Sequence, residues 1–320
     1  MKKALVLGIS GQDGAYLGRF LLGKGYEVIG TSRDAQMSDF HNLDRLGIRE
    51  EIHLESVSLN DFRNVLQVVD RHKPDEIYNL AGQGSVRLSF EHPVETFQSL
   101  TVGMINLLEV IRFLGVPIRL YHAGSSECFG DTSGRVADEF TPFYPKSPYG
   151  VAKAASFWQT ANYREAYGIF ACSGILFNHE SPLRHERFVT RKIVSAACRI
   201  AGGSWEKLIL GNIDVERDWG WAPEYVEAMW LMLQHDTSDD YVIATGESNT
   251  LKDFMEAVFS SLDLRWKEHV EISSDFFRPA DILRMKADPG KARRELGWEA
   301  HYSMRDVARM MVEEERKTIK

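Results

Sequence analysis

The stretch Ala4-Leu5-Val6-Leu7-Gly8-Ile9-Ser10-Gly11-Gln12-Asp13-Gly14-Ala15-Tyr16-Leu17 decides the fold. Four apolar residues end at a glycine, two more glycines follow, and Ala15 to Leu22 then carries a helical pattern. A strand, a tight turn and a helix in that order let backbone N–H groups approach a pyrophosphate at the positive end of the helix. A glycine trio alone is a weak signal, and the strand and helix around it make it informative. Gly8, Gly11, Gln12, Asp13 and Gly14 are therefore the first candidate cofactor-binding residues.

Working outward, short apolar runs alternate with amphipathic stretches. Strands are expected at Ala4 to Leu7, Glu27 to Thr31, Ile52 to Glu55, Glu76 to Leu80, Arg119 to Ala123 and Ala171 to Leu176. Helices are expected between them at Ala15 to Leu22, Asp61 to Arg71, Val102 to Phe113 and Gly150 to Tyr167. This β-α alternation predicts an α/β fold: a Rossmann-type doubly wound parallel sheet, covered on both faces. After Phe177 the rhythm changes. Helices are expected at Phe188 to Ala201, Tyr225 to Gln234, Leu251 to Leu262 and Met304 to Lys317, with a strand at Tyr241 to Thr245. Leu208 to Trp221 reads as short and irregular. The expected division is a dinucleotide-binding domain of residues 1–177 plus about 214–247. The remainder, 178–213 and 248–320, is a smaller discontinuous α+β substrate lobe.

Composition bounds the function. The 320 residues are 44% hydrophobic and 26% charged, with a net charge of −8, which argues against a nucleic-acid partner. A few local arginines can still serve an anionic ligand. Cys128, Cys172 and Cys198 are widely spaced without a CxxC pattern, as expected of reduced thiols in the cytoplasm. No uninterrupted apolar run approaches the roughly 20 residues of a membrane span, so no membrane association is expected. Met1-Lys2-Lys3 and the four apolar residues after it are too short for a signal peptide.

The second strand ends in Ser32-Arg33. An acid here would accept from a ribose 2′-OH, whereas a small residue beside a guanidinium suits a 2′-phosphate. NADP is therefore favoured over NAD, with pairing of Arg33 to Asp34 or Asp39 as the bland alternative.

Tyr149 and Lys153 lie one helical turn apart, on one face. The ammonium, helped by the positive nicotinamide, is expected to favour the phenolate and tune Tyr149 toward a base. The fifth strand ends in Ser125-Ser126-Glu127, where a parallel sheet gathers ligands. Ser125 could bond a reacting hydroxyl and Glu127 could act as acid or base. The bland readings are a capping serine and a solvated carboxylate. His122, His179 and His185 lack a ligand spacing, so no metal is expected. Trp219, Trp221 and Trp230 read as packing residues.

Together the glycine turn, Asn79-Leu80-Ala81-Gly82, Ser125, Tyr149 and Lys153 resemble the extended short-chain dehydrogenase/reductases. Gly11-Gln12-Asp13-Gly14, Leu176-Phe177-Asn178-His179-Glu180-Ser181-Pro182, Phe188-Val189-Thr190-Arg191-Lys192, Arg217-Asp218-Trp219-Gly220 and Phe277-Arg278-Pro279 narrow this to a resemblance to the GDP-mannose 4,6-dehydratase family, over essentially the whole chain. The resemblance implies that Tyr149, Lys153 and Ser125 remove the C4 hydroxyl proton while hydride passes to NADP⁺. Glu127 then takes the C5 proton, water leaves from C6, and the hydride returns to C6. It adds Leu80 and Ala81 to the cofactor site. It implies substrate contacts from Ser85, Ser126, Asn178, Arg184, Lys192, Gly211, Arg217, Arg278 and Asp281, the cations meeting one diphosphate. The implied partner is a GDP-sugar, and the implied assembly a homodimer or homotetramer.

Departures are visible. Arg33 is followed by Asp34 where the family has a second arginine, and Ser58 precedes Leu59 where it has Asp. Gly82-Gln83-Gly84-Ser85 and His185 also depart from the family pattern. They leave a GDP-linked manno-heptose as an alternative substrate. A 4-epimerase or reductase is the rival reaction, and a silent NADP-binding regulator the rival class.

Overall fold

The computed structural model describes residues 1–277 and 280–318; Arg278 lies outside them. The apolar runs form strands because branched and aromatic residues alternate between two covered faces. β1 (Lys3–Leu7), β2 (Glu27–Ser32), β3 (His53–Ser56), β4 (Glu76–Asn79), β5 (Arg119–Ala123), β6 (Ala171–Leu176) and β7 (Tyr241–Ile243) make one sheet in the order β7-β6-β5-β4-β1-β2-β3. Every pairing in it is parallel. The order reverses at β1, whose neighbours are β2 and β4, and such a switch point opens a crevice at the carboxyl ends of the strands.

The two faces are read off β1. Ala4 and Val6 enter a core shared with α1 (Gln12–Gly23) and with a later helix, Ala222–Gln234. Leu5 and Leu7 enter the opposite core, against α2 (Phe62–His72), α3 (Gly103–Leu114) and part of α4 (Pro148–Tyr167). A third core holds α5 (Val189–Ala201), α7 (Leu251–Ser260) and α8 (Met304–Thr318), with the helix at 222–234 numbered α6. The C-terminal lobe therefore has apolar packing of its own.

Two stretches differ from the sequence expectation. Residues 208–221 are not irregular: Leu208–Leu210 pairs with Val270–Ile272, and Glu216–Trp221 lies between Asn178–Glu180 and Ser248–Thr250. Leu208–Leu210 is too short to show a period, and Glu216–Trp221 buries Arg217 and Asp218 among its middle residues instead of alternating. The helix expected from Val102 starts earlier, so that Pro93–Leu114 is one helical run of 22 residues, long and apolar enough to cross a membrane by length and composition. Glu95, Glu109 and Arg112 interrupt that run, which is why no apolar stretch stood out. Its inner face, including Leu100, Met104, Leu107 and Leu108, is buried against the sheet. Trp219 is 2% exposed in the lobe core, and Trp230 packs edge-on to Phe20.

One buried carboxylate ties the lower end of the sheet together. Glu76 is 1% exposed and accepts from Lys2 Nζ at 2.9 Å, Tyr26 OH at 3.0 Å, Tyr78 OH at 2.7 Å and Gln234 Nε2 at 3.2 Å. Glu76→Ala leaves the buried Tyr78 hydroxyl without its acceptor, while Tyr26 and Gln234 keep their bonds to Trp230. We expect a loss of about 3 kcal/mol in urea unfolding, and a change below about 1 kcal/mol would contradict the network.

Candidate active site

The glycine turn is built by steric exclusion. A Cβ on Gly14 would lie 2.3 Å from Gly8 O, so any side chain would push α1 off β1. Gly8 has φ +89°, and a Cβ there would press on Ala81 Cα at 3.1 Å and on the Leu80 carbonyl carbon at 3.2 Å. Gly11 caps α1, its N–H donating to Gly8 O at 3.2 Å. The first N–H groups of α1 therefore open onto a cradle free of side chains, walled by Leu80 and Ala81. A dinucleotide diphosphate fits such a cradle.

The Gln12 and Asp13 side chains turn toward the lobe instead. Gln12 donates to Asp13 Oδ1 at 2.9 Å and His179 O at 3.2 Å, and accepts from Ser181 Oγ at 2.7 Å. Asp13 Oδ2 meets His179 Nε2 at 2.9 Å, and that ring stacks on Tyr225 at 4.4 Å. Burial alone would raise the Asp13 carboxyl, but the charge and hydrogen bond of His179 outweigh it and hold it at about 2. The His179 imidazole is raised in return, against its own burial. Sequence reading placed Gln12 and Asp13 at the cofactor but missed His179 as their partner, because 166 residues separate Asp13 from it.

Arg33 is 88% exposed at the end of β2 and faces Glu95 at 3.5 Å rather than Asp34 or Asp39. Asp34 Oδ1 instead accepts from the backbone of Gln36 and Met37.

At the carboxyl end of β5 the four candidate catalytic residues come together. Ser147 caps α4 by accepting from Gly150 N at 3.0 Å, with Pro148 in the first turn. A Cβ on Gly150 would lie 2.8 Å from Glu127 O, so glycine lets this helix abut the Ser126–Cys128 turn. Ser125, 9% exposed, caps that turn by accepting from Glu127 N at 3.3 Å, and its hydroxyl acts to lower the Tyr149 phenol. The capping reading of Ser125 is thus observed. The Glu127 charge acts on Tyr149 as well.

Several groups act on the Tyr149 phenol within the chain itself. Burial first, with the nearby Glu127, raises its phenol above the ordinary range, against the Ser125 hydrogen bond. Lys153 does not offset this. Its Nζ lies 5.8 Å from the Tyr149 ring centroid and donates to Ala123 O at 2.6 Å. Burial brings the ammonium itself down to about 8. Spacing on a helix face shows that two side chains share a side, not where the ammonium spends its donors.

The remaining candidates divide into two groups. Asn178 registers against Trp219, which places it one residue along the strand pair from Asp218 and two from Arg217. Arg217 Nη2 meets Asp281 at 3.6 Å. Lys192 donates to Ile209 O at 2.8 Å, and its Nζ sits 5.3 Å from the Phe276 ring, whose backbone closes on Gly211. Arg184 sits elsewhere: it meets Glu180 at 3.4 Å, lies 3.9 Å over Phe188, and its charge acts on Asp13 and Tyr149. Ser85 caps the helix Val86–Glu91, and Ser126 is buried at 3% exposure.

Arg87 was not singled out from the sequence. Its guanidinium approaches the Phe276 ring at 5.8 Å, so two cations share one aromatic ring. Burial first, then the Arg87 charge, lowers the Lys192 ammonium. Only the fold brings residues 87, 192 and 276 together.

A parallel sheet with a glycine cradle at its switch point, and a Ser-Tyr-Lys set with a carboxylate beside it, defines a dinucleotide-dependent enzyme of the short-chain dehydrogenase/reductase type. A UDP-glucose 4-epimerase of Thermus thermophilus solved with NAD superposes at TM-score 0.86, with 26% identity over 98% of this chain and 99% of that one. The profile of the GDP-mannose 4,6 dehydratase family matches residues 5–311. GDP-mannose 4,6 dehydratase 2 of Arabidopsis thaliana is 47% identical over 98% of this chain and 87% of its own length. GDP-mannose 4,6-dehydratase of Sinorhizobium fredii is 42% identical over 98% and 96%. The chain belongs to the GDP-mannose 4,6-dehydratase family, and it is a hydro-lyase.

Proposed function

We propose that the protein converts GDP-mannose to GDP-4-keto-6-deoxymannose, with NADP held in the glycine cradle and Arg33 toward its 2′-phosphate. The observation that carries this reading is that Ser125, Glu127 and Tyr149 meet at the end of β5, where the Ser125 hydroxyl holds Glu127 N at 3.3 Å and both side chains act on the Tyr149 phenol. NADP, when bound, supplies the redox store that accepts from C4 and gives back to C6. Tyr149 exchanges a proton with the C4 oxygen, which Ser125 also bonds, while Lys153 pins α4 to the Ala123 carbonyl. The 4-keto group acidifies C5, where Glu127 takes the proton. The same carboxyl then protonates the departing C6 hydroxyl, and one water leaves. Oxidation at C4 and reduction at C6 cancel, so no reductant is consumed.

Incubation with GDP-mannose is expected to yield a product lighter by one water, with no net change in reduced cofactor. Turnover only of a GDP-manno-heptose would replace the sugar and keep the mechanism. A C4 epimer without water loss would overturn dehydration.

Lys192, Arg217 and Arg87 are assigned to the diphosphate, since guanidinium forks and ammonium groups match phosphate oxygens. An anion between Arg87 and Lys192 relieves the repulsion of two cations over one ring. Arg87→Ala is expected to raise KM about tenfold with kcat within twofold; an unchanged KM removes Arg87 from the site.

The assembly is proposed to be a homodimer. Val94, Phe97, Val102, Val151 and Trp158 expose apolar side chains along Pro93–Leu114 and α4. Light scattering at twice the 36.4 kDa chain mass tests this.

A further inference from the structure

Away from the cleft, β3 and α2 bring three metal-ligating side chains together. His53 and Glu55 alternate along the edge strand and so face the same side, and His72 lies in the last turn of the helix that covers it. Glu55 Oε2 lies 3.4 Å from His53 Nε2 and 2.9 Å from His72 Nε2. The ligand atoms all fall within 4.8 Å of one another. The other carboxylate oxygen, Oε1, accepts from Arg71 Nη1 at 2.5 Å, which turns Oε2 toward the histidines.

We propose that His53, Glu55 and His72 form a site for a divalent transition cation of the zinc, cobalt or nickel kind. Tetrahedral bonds of about 2.0–2.1 Å separate neighbouring ligand atoms by about 3.4 Å. The three atoms therefore need to shift by only a few tenths of an ångström to a little over an ångström. Two imidazoles and one carboxylate suit borderline metals, whereas calcium and magnesium require an all-oxygen set. Arg71 orients the ligand carboxylate, as partners behind metal ligands do. The C-terminal end of α2 places the negative pole of the helix at the cation. His53 has a 59% exposed side chain, so water completes the coordination and the ion has an entry path.

The site belongs to the sheet edge rather than to the chemistry. β3 stands four strand positions from β5, or about 19 Å at ordinary strand spacing. A bound ion joins the edge strand to its covering helix. It blunts an edge that would otherwise offer unpaired backbone groups to another chain.

Cobalt titration of the purified full chain tests this. The expected result is one Co²⁺ per chain, with the intense visible absorption of four- or five-coordinate cobalt, displaced by Zn²⁺ and unaffected by millimolar Mg²⁺. Saturating Zn²⁺ should raise Tm by about 3–5 °C. A His53→Ala/His72→Ala double variant should lose both signals and keep the unliganded Tm within about 2 °C, with dehydratase activity unchanged. The proposal is overturned by the same absorption in the double variant. It is overturned equally by the faint spectrum of hexa-aqua cobalt in the parent chain.

Discussion

Tyr149→Phe lowers kcat by about 10³-fold while KM for the sugar nucleotide stays within threefold. The phenol is the group on which Ser125 and Glu127 act at the end of β5. Its removal takes away the proton acceptor at C4 without disturbing the cap of α4, which depends on Ser147. The ring stays, so the enclosure near the Lys153 ammonium is kept. Dinucleotide affinity, followed by fluorescence, is expected to be unchanged. A variant retaining a tenth of the parent kcat would show that another group carries the proton.

Glu127→Gln separates oxidation from elimination. The amide keeps the shape of the side chain and leaves the Glu127 N–H on Ser125. It cannot accept the C5 proton. Dehydration is expected to fall by about 10² to 10³-fold. Oxidation at C4 continues, visible as a substoichiometric burst of reduced-nicotinamide absorbance on mixing with GDP-mannose. Loss of both signals together would place Glu127 at the C4 step. A 4-epimerase has no elimination to lose, and its turnover would hardly change.

Much of the sheet was legible because a buried parallel strand needs an apolar run bounded by turn residues. Arg119–Ala123 and Ala171–Leu176 have the boundaries expected of them. Ser125, Glu127, Tyr149 and Lys153 were legible as one set because two short segments, a strand end and a helix start, carry all four. Contacts between distant segments were not. Nothing local in Asp13 or His179 announces their pairing, and nothing in Arg87 announces Phe276. The strand Leu208–Leu210 has three residues, fewer than any period needs to show. His53, Glu55 and His72 escaped for the same reason, since the third ligand arrives from a helix after an intervening loop.

The bonds from Gln12 and Asp13 to His179 and Ser181 bear on how parts of such enzymes can be exchanged. A segment spanning 178–213 transplanted from a relative with another sugar preference meets two buried groups already shaped for an imidazole and a hydroxyl. If the graft lacks them, Gln12 Oε1 and Asp13 Oδ2 lose those partners, at about 1–3 kcal/mol each. Residues 12, 13, 179 and 181 therefore form one inheritable unit. A chimera that moves them together keeps its joint intact, whereas one that cuts between them carries a damaged seam before specificity is even tested.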